Sequence, residues 1–73
     1  MAPFERIAVD PAIMRGQPCI KGTRITVASI LGMLGKGHTR ERILKGYPDL
    51  KPEDIDEALA YASWRMTESE VHA

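Results

Sequence analysis

The apolar positions of this chain change period near residue 26. Before it they form pieces too short for helices, Ile7 to Val9, Ile13-Met14, Cys19-Ile20 and Ile25, punctuated by Pro3, Pro11, Gly16, Pro18 and Gly22. Such fragments predict brief strands joined by tight turns. Asp10-Pro11 starts one turn, and Lys21-Gly22 sits between Cys19-Ile20 and Arg24-Ile25 as a hairpin tip. A two-stranded hairpin is marginal in water, so these strands are expected to lie on helices or pair with a second chain.

Beyond Ile25, Val27, Ile30, Leu31 and Leu34 recur at i, i+3, i+4 and i+7, one apolar stripe of a helix that Thr26 can cap. Gly37 can supply the left-handed residue that ends it, and Thr39 can cap a second helix through Ile43 and Leu44 to Gly46. Tyr47-Pro48 stops that helix, because the residue before a proline is driven from the helical region. A third helix starts near Pro52, with Glu53 and Asp54 complementing its dipole. Ile55, Ala58, Leu59, Ala62 and Met66 are expected as its buried face, with Tyr61 and Trp64 on a neighbouring one. Gly32 and Gly35 each cost about 1 kcal/mol relative to alanine inside a helix, so close approach of the third helix or the hairpin is expected there.

The fold class expected is therefore mainly α: a β-hairpin region over 7–26, then three helices over 27–66 in helix-turn-helix-like order, forming one domain over 1–66 with a flexible tail over 67–73. Many bundles that do not bind DNA share that order.

Composition narrows how so small a domain is held together. A core of 73 residues rarely supplies more than about 3–5 kcal/mol without disulfides, a metal or a second subunit. Cys19 is the only cysteine, which excludes an intramolecular disulfide and suits a reducing compartment. Cys19, His38 and His72 are scattered, unlike the close ligands of a structural zinc site. A homodimer is the remaining expectation. The longest apolar run, Ile30 to Leu34, is broken by Gly32 and falls far short of the roughly 20 residues of a membrane span. With no charged-then-apolar leader at the start, a cytoplasmic location is expected.

The formal charge is zero but uneven. Residues 1–46 carry eight basic groups against three acidic, net +5, and the remainder carries two basic against seven acidic, net −5. Such a dipolar chain can attract an anion at one end. Solvated helix faces are the simpler reading of the same asymmetry.

Catalytic chemistry is not indicated. Cys19, Ser29 and Ser63 have no histidine nearby in sequence, and Cys19 beside Ile20 reads as a small buried hydrophobe. The glycines match neither phosphate-cradling spacing, so no cofactor is expected. Asp54, Asp56 and Glu57 read as a solvated helix face, with Glu53 and Glu57 an exposed i, i+4 pair.

Ile7-x-x-Asp10-Pro11-x-Ile13, Gly16-Gln-Pro18-Cys-Ile20-Lys-Gly22-Thr23-Arg24-Ile25-x-Val27, Gly37, Tyr47-Pro48-x-Leu50 and Glu53-Asp54-Ile55-x-x-Ala58-Leu59-x-Tyr61-Ala62 together resemble the prokaryotic family catalogued as domain of unknown function 433. The resemblance covers about residues 7 to 62. It implies a trihelical, winged or homeodomain-like unit behind a β-hairpin, and an antitoxin that neutralises a PIN-like ribonuclease toxin and binds operator DNA. Three positions depart from the pattern: Arg15 where a second glycine or other small residue is common, Thr26 where proline is usual, and Lys51 where Thr or Ser usually caps a helix.

The acidic start of the third helix argues against its entering the major groove. The DNA-binding candidates are therefore Arg15, Lys21 and Arg24 on the hairpin with Arg40, Arg42 and Lys45 on the second helix. The partner-binding candidates are Tyr61, Trp64 and Arg65, one aromatic-basic patch, since interface hot spots are enriched in these residue types. The competing reading has Trp64 packing on the hairpin to fill the core. Likewise Gly22-Thr23-Arg24 can be structural, with Gly22 allowing the turn, Thr23 bonding its own backbone and Arg24 pairing with Asp10 or a helix C-terminus. A structural homo-oligomerisation module without DNA or toxin binding is the alternative function.

Overall fold

The structure, a computed structural model, describes residues 4–70, with side chains through residue 67. Three helices follow a short antiparallel hairpin: β1 (Ile7–Ala8), β2 (Cys19–Ile20), α1 (Val27–Gly35), α2 (Arg40–Gly46) and α3 (Pro52–Glu70).

β2 is flanked on both sides. It pairs with β1 in the register Ile7↔Ile20 and Ala8↔Cys19. Its other edge bridges Cys19 to Thr26, through Ile20 N–H donating to the Ile25 carbonyl and Val27 N–H donating to the Pro18 carbonyl, both at 2.9 Å. The tight turn lies at Lys21-Gly22 as expected, where Gly22 takes φ +82°, a conformation that costs glycine little. Thr23 bonds its own surroundings: its hydroxyl donates to the Ile20 carbonyl at 2.8 Å and accepts from Ile25 N–H at 3.0 Å. The bridge draws on the N–H groups of Ile20 and Val27 and not on that of residue 26, so it accommodates either proline or threonine at that position.

Ile13-Met14 is not a strand. Met14–Gly16 forms a tight turn in which Met14 (φ 49°), Arg15 (φ 59°) and Gly16 (φ 79°) are all left-handed. The β1–β2 connection has to reverse direction here, and the turn is closed by Gly16 N–H to the Ile13 carbonyl and Gln17 N–H to the Met14 carbonyl, both at 3.0 Å. A side chain in this region costs about 1–2 kcal/mol per residue. That cost gives a physical reason for glycine at position 15, and Arg15 bears it.

Thr26 and Thr39 cap their helices as expected, accepting from Ser29 N–H at 2.9 Å and Arg42 N–H at 3.1 Å. Gly37, at φ +92°, turns the chain between α1 and α2. The core draws on every element: Ile7 from β1, Ile20 from β2, Val27 and Ile30 from α1, Ile43 from α2, Leu50 from the connection, and Ile55, Ala58 and Tyr61 from α3.

Three expectations about the helices are corrected. The buried stripe of α3 is rotated toward Asp54, Ile55, Ala58 and Tyr61, leaving Leu59 and Met66 exposed, because Phe4 and Arg6 pack on the Tyr61 and Asp54 side. A Cβ added at Gly32 or Gly35 would meet nothing within 4 Å, so neither glycine makes room for a neighbour among the described residues. The backbone of α3 runs through Glu70, past Thr67 where a tail is expected to begin; residues 71–73 of that tail lie outside the described residues.

Candidate functional site

The start of α3 is tied to the N-terminal strand. Asp54, at the third helical position, accepts from Lys51 N–H at 2.9 Å, half of the reciprocal pattern that caps helices. Its other oxygen accepts from the Arg6 guanidinium at 3.1 Å. Glu57, one turn on, accepts from Arg6 N–H. Asp54 is therefore only 4 % exposed, and Glu57 is half-buried. This corrects their reading as a solvated face: two basic or N–H groups meet Asp54, so burial leaves it paired. Lys51 cannot cap with its side chain, and Asp54 supplies the bond from the other direction. The acidic end of α3 is thus partly consumed by internal contacts.

The six basic candidates do not share one environment. Lys21 lines a depression of about 250 Å³ with Arg6 and Lys51, but Glu5, Asp49 and Asp54 line it too. Arg24 borders a second depression of about 500 Å³ with Asp49 on its rim, and pairs with neither Asp10 nor a helix C-terminus. Arg40, at the start of α2, forms an ion pair with Asp56 of α3 at 2.6 Å, both side chains largely exposed. Such a pair contributes at most about 1 kcal/mol. Arg15, Arg42 and Lys45 are exposed, with no side-chain hydrogen bond or ion pair among the described residues.

The aromatic candidates come together, joined by a residue the sequence reasoning missed. Phe4 packs edge-on against Tyr61, with ring centroids 5.3 Å apart, and lies 5.7 Å from Trp64; Tyr61 and Trp64 are 5.8 Å apart. Tyr61 belongs to the core, whereas Trp64 is 38 % exposed. Arg65, next to Trp64, is exposed and engaged by a neighbouring group. Cys19 is buried, its thiol donating to the Gln17 carbonyl at 3.3 Å. Among the described residues no cluster of three or more His, Cys, Asp or Glu could hold a metal, and no helix is long and apolar enough to cross a membrane.

The family described as "Protein of unknown function (DUF433)" matches residues 7–62. The chain belongs to that family. The fold of this DUF433 chain is similar to the crystal structure of a DUF433 member from Anabaena variabilis, with a TM-score of 0.81 and 28 % identity over 86 % of this chain and 62 % of that one. A curated relative, "Uncharacterized protein y4eO" of Sinorhizobium fredii, is 36 % identical over 58 residues, which are 80 % of this chain. This DUF433 chain spans about a quarter of that relative's length, the match covering 26 % of it.

Arg6 and Phe4 are the residues of this region that the sequence did not reveal. For Asp54 a signal existed: an acidic residue at the third position of a helix that begins Lys51-Pro52 is placed to bond the N–H of the capping residue. No comparable signal pointed to Arg6, because its partners lie 48 and 51 residues away.

Proposed function

We propose that this DUF433 chain is a binding protein that neutralises a PIN-like ribonuclease, with the aromatic corner of α3 as its contact surface. The observation that carries this reading is the exposed indole of Trp64, steadied by the rings of Phe4 and Tyr61. A large side chain already held in place loses little rotamer freedom on binding, and tryptophan is enriched at interface hot spots. Arg65 adds a cation, the sign that a carboxylate-rich nuclease centre attracts. The reading is one of binding and involves neither catalysis nor a cofactor.

The test is Trp64→Ala against a PIN-like nuclease found encoded in an adjoining reading frame. The variant is expected to stay folded and to lose about 2 kcal/mol of affinity, roughly thirtyfold. A chain ending at Met66 is expected to bind as the full chain does. Unfolding of Trp64→Ala, or loss of binding only on truncation, would move the role to the core or to the residues beyond Met66. An isolated gene with no nuclease beside it would favour the structural oligomerisation reading.

Operator DNA is a second reading, favoured by the exposed Arg15, Arg42 and Lys45. Replacing Arg42 and Lys45 by alanine is expected to weaken binding at every sequence and to lower the salt slope by about 1 per lost phosphate contact. Arg40→Ala is expected to do less, because Asp56 already engages that guanidinium. Failure of any operator fragment to shift at low salt would remove DNA from the account.

A further inference from the structure

Three parts of the fold meet around an apolar groove of about 270 Å³: Ala28 and Leu31 of α1, Arg65 and Met66 of α3, and Gln17-Pro18 in the connection to β2. Gln17, Ala28, Arg65 and Met66 are exposed, so the groove opens to solvent. Small-molecule sites run to about 300–1,000 Å³, so this groove is sized for an anchoring side chain of a polypeptide. Among the described residues its lining carries one cation, Arg65, and no carboxylate. Arg65 directly follows Trp64, which joins the groove to the aromatic corner of α3.

The turn before Gln17 adds a second cation. Arg15 lies two residues before Gln17, within about 7 Å of it along the backbone. It is exposed, with no side-chain hydrogen bond or ion pair among the described residues. At φ 59° it holds a conformation that glycine adopts at little cost and arginine does not. Met14, beside it, is also left-handed and exposed. Strain of this kind concentrates in segments that clamp ligands or switch.

We infer that the groove takes an acidic amphipathic segment of the partner protein, seating an apolar side chain between Ala28, Leu31 and Met66 and bringing a carboxylate to Arg15. The inference rests on the nuclease reading for its partner, and extends that contact surface from Trp64 across the groove to the β1–β2 connection. Charge selects the sign of the occupant: a lining with a cation and no carboxylate, flanked by a second cation, attracts acidic segments and repels basic ones. The apolar walls select protein over nucleic acid, because phosphate oxygens need N–H or O–H donors and the side chains of Ala28, Leu31 and Met66 have none. Met66, exposed and unbranched, adapts its shape to whichever apolar side chain enters. A carboxylate bonded to the Arg15 guanidinium supplies, in the complex, the compensation for strain that the isolated chain lacks.

The test titrates a PIN-like nuclease found encoded in an adjoining reading frame against the full chain and its variants, each first shown by circular dichroism to be folded. Ala28→Glu is expected to bind at least about tenfold more weakly than Ala28→Lys, since the two block the groove alike and differ in sign. Arg15→Gly is expected to raise the thermal midpoint of the isolated chain and yet to lower affinity about tenfold, with association that is slower and less sensitive to salt. A merely structural Arg15 would give the first change without the second. Should an Ala28 variant fail to fold, Gln17→Glu and Gln17→Lys make the same comparison at another exposed wall of the groove. Equal affinities for the Glu and Lys variants, or an Arg15→Gly chain that binds as the wild type does, overturn the inference and leave the Trp64 contact standing. A wild-type chain that does not bind the nuclease overturns the nuclease reading and this inference with it.

Discussion

Ile55→Ala is expected to leave the chain mostly unfolded at 25 °C. Ile55 is fully buried and, among the described residues, is with Ile30 and Ile43 one of the three largest side chains wholly shut from water. It sits in the first half of α3, the helix that packs on both α1 and α2. Removing a buried isoleucine to alanine costs about 2–5 kcal/mol, as lost transfer energy plus the cavity left behind. A core of this size supplies roughly 3–5 kcal/mol in total, so the variant loses most of its stability. Urea denaturation followed by circular dichroism measures this, as a collapse of the folded baseline or a large fall in midpoint with unchanged slope. Leu59→Ala is the control. Leu59 lies one turn further on and is 39 % exposed, so its truncation is expected to cost less than about 1 kcal/mol. Equal effects at the two sites would show that the buried face of α3 had been misassigned.

Asp54→Ala is expected to have the second largest effect, about 2–3 kcal/mol. Three contributions disappear together: the acceptor for Lys51 N–H, the partner of the Arg6 guanidinium, and a negative charge at the positive end of α3. The upper part of the range is restrained because the Arg6 side chain is 40 % exposed, and water takes over much of its solvation once the carboxylate is gone. Asp54→Asn separates the contributions. Its amide oxygen can still accept from Lys51 N–H, so only the charge interaction with Arg6 is lost and the cost is expected to fall to about 1 kcal/mol. A double-mutant cycle with Arg6→Ala is expected to give a coupling of about 0.5–1 kcal/mol. Zero coupling would make Asp54 purely a cap and would leave Glu57 to hold Arg6 N–H and the N-terminal strand.

Local chemistry decided much of what the sequence could disclose. Thr26, Thr39, Gly37 and Tyr47-Pro48 act within one turn of the chain, so the ends of α1 and α2 follow from the residues at those ends. The turn at Lys21-Gly22 needs only a residue that accepts a positive φ, and Thr23 closes it through its own neighbours. The burial of Cys19 and the family membership were legible for the same reason, being carried by short motifs in fixed order.

What only the tertiary structure decided involves partners distant along the chain. α3 could have buried any of several adjacent stripes, since Leu59 and Met66 are as apolar as Tyr61; contacts from Phe4 and Arg6 across the fold select the stripe that contains Tyr61 and Asp54. Periodicity along one helix cannot report a neighbour contributed from some 50 residues away. Helix spacing alone places Asp54 on a solvated face, and its burial depends on a cation that arrives from β1's side of the molecule. Trp64 stands between the two cases: the sequence marks it as a residue that must pack or bind, and the fold leaves it packed on Phe4 and Tyr61 along one side and open to solvent on the other.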